Sequence, residues 1–273
     1  MRFAGRTLIV TGAGSGLGEC LALQLGQRGA TIACVDRNEA LLRKVIERLE
    51  KQSTRCSGHL ADISDADAVE KLISEIDDLY AGFDGLINNA GIMQSFTPIS
   101  DLAIPDIEQI TRVNYWGMVM LVKASLPILE RRPEALIVNI SSLSALVPFP
   151  GQTAYGASKA AVRSFSEGLR METEGSSIEV VLVMPGAIRT GILDNSPFYS
   201  EQQKAELRSL SEGRSFGLEP ERAADKVLSA IEKGRHRVVL GGDAWLLDKL
   251  YRVAPIATSR LLRWAARFLP AIE

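Results

Sequence analysis

Short β-branched apolar runs alternate with longer amphipathic stretches through most of this chain. The short runs predict strands at Arg6–Thr11, Thr31–Asp36, Ser53–His59, Gly85–Asn88, Ala135–Ser141, Glu179–Met184 and Arg237–Leu240. Helices are predicted between them, at Gly16–Arg28, Glu39–Lys51, Ser64–Tyr80, Pro105–Glu130 and Gln152–Glu174, with another after Pro220. Asn38 is placed to cap the second helix, and Ser64-x-x-Asp67 resembles a capping box with Asp in place of Glu. Pro127 is expected to kink or end its helix, because its ring removes a backbone donor.

Strands this short, alternating with helices, imply βαβ units and a parallel sheet. The nearly unbroken apolar stretches Leu136–Ile140 and Val180–Val183 suit strands covered on both faces. The expected fold is therefore α/β, a doubly wound parallel sheet of seven strands with helices on both faces. No linker divides it, so residues 1–242 read as one domain and 243–273 as an extension. Ligands in such sheets bind at the carboxyl ends of the strands, where the chemistry should lie.

Composition narrows the class. The 273 residues fit one doubly wound unit, and 46% hydrophobic with 23% charged residues suits a globular protein with a sizeable core. A formal net charge of -2 gives no reason to expect nucleic acid. The run Leu8-Ile9-Val10 is too short for a signal peptide, and nothing approaches the roughly 18 apolar residues of a membrane span, so a cytoplasmic protein is expected. Cys20, Cys34 and Cys56 form no CxxC pair, which argues against a disulfide framework or a zinc site, and no metal is expected. His59 and His236 are the only histidines, little material for histidine-centred chemistry.

Candidate chemistry follows the strands. Thr11-Gly-Ala-Gly-Ser-Gly-Leu-Gly18 lies between the first strand and the first helix, where backbone N–H groups and the helix N-terminus favour a pyrophosphate. Gly12, Ser15, Gly16, Leu17 and Gly18 are the candidate contacts of this turn. Asp36 ends the second strand, where a carboxylate binds ribose hydroxyls and repels a 2′-phosphate, favouring NAD. The neighbouring Arg37 could instead hold that phosphate and admit NADP. Asp62, with Ile63, follows the third strand within reach of an adenine, and Asn88-Asn89-Ala90-Gly91 offers a small-residue approach to the cofactor after the fourth.

Tyr155 and Lys159 share one helix face at i and i+4. A phenol titrates near pH ~10, too high for efficient proton transfer at neutral pH, and a nearby lysine ammonium, with the positive nicotinamide ring, would stabilise phenolate and lower that value. A serine of Ser141-Ser142, at a strand end, could hydrogen-bond the reacting oxygen, and Asn114 could bind a water serving a relay from Lys159. Pro185-Gly186-Ala-Ile188-Arg-Thr190 follows the sixth strand, with Ile188 and Thr190 placed to hold a nicotinamide carboxamide.

These motifs, in this order, resemble the short-chain dehydrogenase/reductase family over roughly Gly5 to Leu240. The resemblance implies a Rossmann-type fold and hydride transfer between NAD(P) and an alcohol or carbonyl. It implies catalysis by Ser142, Tyr155 and Lys159 extended by Asn114, with Ser141 the fallback for the serine. It also implies a homodimer or homotetramer built through the long helices carrying Asn114 and Tyr155. An active NAD-linked enzyme acting on an apolar secondary alcohol or its ketone is the leading expectation. A cofactor-sensing binder without turnover is the alternative, against which the intact Ser142, Tyr155 and Lys159 argue. An enoyl reductase is disfavoured, because that group spaces its Tyr and Lys more widely.

Residues 191–217 should form a lid over the substrate, in which Leu193, Pro197, Phe198, Tyr199 and Phe216 line an apolar pocket or a flap core. The tail combines Trp245, Leu246, Leu250, Leu261, Leu262, Trp264, Phe268 and Leu269 with Lys249, Arg252, Arg260, Arg263 and Arg267. Such a basic amphipathic segment either lies on an anionic membrane surface, suiting a lipid-like substrate, or packs on the lid or a neighbouring subunit.

Overall fold

Unbroken apolar strands need cover on both faces, and the sheet provides it. The computed structural model describes residues 2–189, 196–200, 202, 204–205 and 217–266. Its seven strands are β1 Thr7–Thr11, β2 Thr31–Asp36, β3 Cys56–Leu60, β4 Gly85–Asn88, β5 Ala135–Ile140, β6 Ile178–Pro185 and β7 Arg237–Leu240. They pair in parallel throughout, in the order β3-β2-β1-β4-β5-β6-β7. The order reverses between β1 and β4, which makes the carboxyl ends of these two strands the switch point of a Rossmann-type sheet.

Helices α1 Gly16–Gln27, α2 Glu39–Lys51 and α7 Pro220–Glu232 cover one face. Leu21, Leu25, Val45, Leu49, Val227 and Leu228 there meet Leu8, Val10, Leu136 and Val138 of the strands. Helices α3 Ala66–Tyr80, α4 Ile104–Thr111, α5 Met118–Leu129 and α6 Thr153–Glu172 cover the other face, packing Ile73, Ile110, Val122 and Val162 against Ile9, Leu86 and Ile137. Alternate residues of one strand thus enter opposite cores, so each central strand is apolar on both sides. The chain then continues into α8 Gly242–Val253 and α9 Pro255–Ala266.

Several expected boundaries move for identifiable reasons. The third helix begins at Ala66, capped by the Asp65 carboxylate, which accepts from Asp67 N and Ala68 N; Ser64 is not its cap. The third strand starts at Cys56, because Ser53 and Thr54 are tied back by their N–H groups to Glu50 O and Leu49 O at the end of α2. The single helix expected over Pro105–Glu130 is three pieces, with a π turn at Arg112–Gly117 between α4 and α5. Pro127 does not stop α5, which runs on to Leu129. A π turn inserts one residue into a helix and re-aims its side chains, and this one holds Asn114.

Candidate active site

The first site component is the turn after β1. Gly12 and Gly16 adopt φ of 63° and 56°, which a side chain would strain. At Gly18 space decides: an added Cβ would lie 2.0 Å from Gly12 O and 2.5 Å from Asn89 Nδ2. The turn therefore closes tightly over the N-terminus of α1, where Ser15 makes no side-chain cap. That leaves a helix N-terminus framed by glycines, the donor set that an anionic pyrophosphate requires. Asp36 is built into this turn, with Oδ2 accepting from Gly14 N at 2.8 Å and Oδ1 from Asn38 N at 2.9 Å.

Asn89 and Ala90 are locked onto the same turn. Thr11 Oγ1 accepts from Asn89 N and Ala90 N, both at 3.1 Å, while Asn89 Nδ2 donates to Thr11 O at 3.0 Å and Gly12 O at 3.2 Å. Asp62 turns locally, accepting from Ser64 N at 2.9 Å and Ser64 Oγ at 2.7 Å, and Ile63 is buried beside it.

The second component gathers on α6. Tyr155 and Lys159 are both buried on one face. Ser142 Oγ accepts from Ser144 N at 3.1 Å, and its side chain bears on the Tyr155 hydroxyl. The Ser141 hydroxyl donates to Lys159 O at 2.7 Å. Burial pushes the Tyr155 hydroxyl above the ordinary phenol value, and the Ser142 contact acts in the opposite direction. The expected lowering is thus reversed in the protein alone, because desolvation is the larger effect. Burial also holds the Lys159 ammonium down at about 8. Lys159 Nζ donates to Ile140 O at 3.0 Å.

Asn114 is fully engaged. Its Oδ1 accepts from Ile92 N at 2.8 Å, and its Nδ2 donates to Ile92 O and Ser158 Oγ, both at 3.0 Å. Ser158 Oγ in turn donates to Tyr155 O at 2.7 Å. The side chain thus ties the segment after Gly91 to the Tyr155 helix. A Cβ on Gly91 would sit 3.1 Å from Asn114 Oδ1 and 3.3 Å from Lys159 Nζ, so these three residues converge.

Gln94 escaped notice in the sequence and is the hub of this region. It is fully buried. Its Oε1 accepts from Ala154 N at 3.0 Å and Tyr155 N at 3.1 Å, capping α6 from a distant loop. Its Nε2 donates to Thr97 O at 3.1 Å and Gly151 O at 2.8 Å. Its carbonyl accepts from Gln152 Nε2 at 2.6 Å and from Tyr199 Oη at 2.8 Å. Tyr199, from the expected lid, is buried, and Ser196 Oγ donates to Met93 O. All six of these bonds involve a backbone group, which no side-chain motif reveals.

The third component is the segment after β6. Pro185 ends the strand, Gly186 N donates to Leu240 O at 2.8 Å, and Ala187 N donates to Asp243 Oδ2 of α8 at 3.3 Å. Ile188 forms a parallel bridge with Leu218, closed by Leu218 N to Ala187 O at 2.8 Å and Arg189 N to Leu218 O at 3.0 Å. Both ends of the lid sequence are therefore pinned together. Thr190, Leu193 and Phe216 lie outside the described residues, as do Arg267, Phe268 and Leu269.

The cysteines offer no nucleophile: burial pushes the Cys20 thiol up to about 12 and raises Cys34 and Cys56 as well. His59 sits on edge strand β3, paired with Ser57 Oγ at 2.7 Å. Among the described residues, no group of His, Cys, Asp and Glu is arranged to hold a metal, and no helix is long and apolar enough to cross a membrane.

Comparison with known proteins converges on one group. A family model described as short chain dehydrogenase matches residues 6–198. A Mycobacterium tuberculosis protein named for oxidoreductase activity, SadH, is 33% identical over 274 residues, covering 98% of each chain. Among solved structures, a short chain dehydrogenase/reductase from Burkholderia phymatum in complex with NAD aligns with TM-score 0.84 at 25% identity, over 93% of this chain and 95% of that one. A short chain dehydrogenase from Burkholderia cenocepacia in complex with NADP aligns with TM-score 0.79 at 28% identity, over 96% of this chain and 99% of that one.

Proposed function

The chain belongs to the short-chain dehydrogenase/reductase family of oxidoreductases, and on that premise we propose that it moves a hydride between NAD and an apolar secondary alcohol or its ketone. The observation that supports this most is the buried Tyr155 hydroxyl beside Ser142, with Lys159 on the same helix face. A nicotinamide cofactor fits the glycine-framed N-terminus of α1, and the solved relatives hold NAD or NADP.

Gly12 and Ser15–Gly18 would hold the pyrophosphate, Asp36 the ribose hydroxyls, and Asp62 with Ile63 the adenine. Asn89–Gly91 would face the inner ribose, and Pro185, Gly186, Ile188 and Thr190 the carboxamide. When bound, the nicotinamide supplies or accepts the hydride. Tyr155 Oη gives its proton to the carbonyl oxygen in reduction and takes it from the hydroxyl in oxidation. Ser142 Oγ donates a hydrogen bond to the same oxygen and fixes where it sits. The Lys159 ammonium, oriented by Ile140 O, favours phenolate on Tyr155 and opposes the effect of burial. Asn114 holds the Tyr155 helix through Ser158. A screen of steroids, acyl-chain alcohols, sugars and small diketones with both cofactors tests this reading, and absence of turnover throughout would overturn it.

Two substitutions examine its parts. Asp36→Ala removes the carboxylate that repels a 2′-phosphate, so the ratio of kcat/KM for NADPH over NADH should rise roughly tenfold or more. Binding of both should weaken, because Gly14 N and Asn38 N lose their acceptor. An unchanged ratio would take cofactor choice away from Asp36.

Lys159 makes a second, thermodynamic prediction for the ligand-free protein. Its folded value of about 8 lies below the ordinary 10.5, so between these values the unfolded chain binds more protons. Stability from this group therefore rises as pH increases from about 8 to about 10.5. Lys159→Met should be relatively more stable at neutral pH, and its advantage should shrink across that window. Parallel Tm–pH curves for the two proteins would contradict the buried, charged lysine.

A further inference from the structure

The outer faces of α8 and α9 combine exposed apolar side chains with exposed cations and no exposed acid. Trp245, Leu246, Leu250, Val253, Ile256 and Leu261 are exposed, Val253 by 86%. Between them stand Lys249, Arg252, Arg260 and Arg263, all exposed. The acids of these helices face inward. Asp248 is buried and pairs with Arg252 at 2.8 Å, and Asp243 is half-buried against Ala187 N.

The inner faces are already occupied, which fixes the orientation of the outer ones. Ala244, Leu247, Tyr251 and Leu262 pack on Leu143, Leu146, Val147 and Phe149, the segment that follows Ser142. The exposed positions 245, 246, 249, 250 and 253 form one stripe on α8, and α9 exposes 256, 260, 261 and 263.

We propose that this stripe docks peripherally on an anionic lipid bilayer. Tryptophan and branched aliphatic side chains among arginines and lysines match a surface that is apolar below and negative at the headgroups. A second copy of the chain is the poorer occupant. A two-fold contact would set these cations against their own images, with no exposed acid on either helix to face them. Docking would also bring the segment beyond Ser142 toward the lipid, giving an apolar alcohol a route to the site. That last step rests on the proposed function; the docking does not.

Removing the tail is unsuitable as a test, because Asp243 and Ala244 are built into the loop after β6 and the core beside it. The full chain is instead floated with vesicles of phosphatidylcholine alone and of phosphatidylcholine with phosphatidylglycerol. A variant carrying Lys249→Glu, Arg260→Glu and Arg263→Glu is compared with it, and Tm confirms folding. The expected result is flotation with the anionic vesicles only, reduced at least tenfold in the variant. A salt series on the unmodified chain reads the same attraction without substitution, and bound protein should fall as salt rises. Failure to float on anionic vesicles, or binding indifferent to both salt and substitution, would overturn the proposal. So would sedimentation showing a dimer that the same substitutions dissociate, which would assign the stripe to a second copy. None of these outcomes depends on turnover, so they stand apart from the test of Tyr155.

Discussion

Tyr155→Phe is expected to bind NADH as the parent does and to lose about a hundred- to ten-thousandfold in kcat, the range that positioned acid/base groups supply. The ring is buried and its backbone N–H is held by Gln94 Oε1 at 3.1 Å, so phenylalanine keeps shape and helix position while deleting one oxygen. The change removes the proton donor of reduction and leaves Ser142 able to polarise a carbonyl. Fluorescence titration of NADH alongside steady-state rates separates the two effects. Near-normal turnover would remove Tyr155 from its role; loss of cofactor binding would show that the hydroxyl serves the nucleotide instead.

Gln94→Leu should be the most damaging single change outside the reacting groups. It leaves Ala154 N, Tyr155 N, Thr97 O and Gly151 O without their amide partner in a buried setting. Each orphaned backbone group costs roughly 1–3 kcal/mol. Even a total of about 3 kcal/mol would lower Tm by roughly 6–12 °C in a chain near this size. The kcat should fall as well, since the cap that orients the first turn of α6 is gone. Gln94→Glu keeps the acceptor for Ala154 N and Tyr155 N and should recover part of the helix placement. If Gln94→Leu melts and turns over like the parent, the hub has no consequence for either.

The central strands were legible because their apolar character is unbroken, and unbroken runs mean cover on both faces. Their ends were less so. Nothing in Ser53-Thr54 says that the backbone there closes α2 before β3 can begin, since the bonds run through N–H groups common to every residue. The π turn was hidden for a related reason. Arg112–Gly117 reads as a helix because it is one, and the extra residue shows only where Asn114 meets Ile92. Nothing in Ser141-Ser142 says that the Ser141 hydroxyl bonds Lys159 O, because that partner is a backbone carbonyl of a distant helix. Motif reading finds side chains that meet ligands. Gln94 meets mainly the chain itself, so its importance emerges only with the fold.

The bridge between Ile188 and Leu218 has a consequence for how such a protein can diversify. Because the strand end and the start of α7 are joined there, residues 189–217 form a cassette whose ends stay fixed whatever lies between. Changes in its length cost little, as loop closure grows only slowly with the number of residues. A lineage can therefore lengthen or shorten that stretch without moving the end of β6 or the start of α7, and the limits of such change are drawn by that one pair of residues.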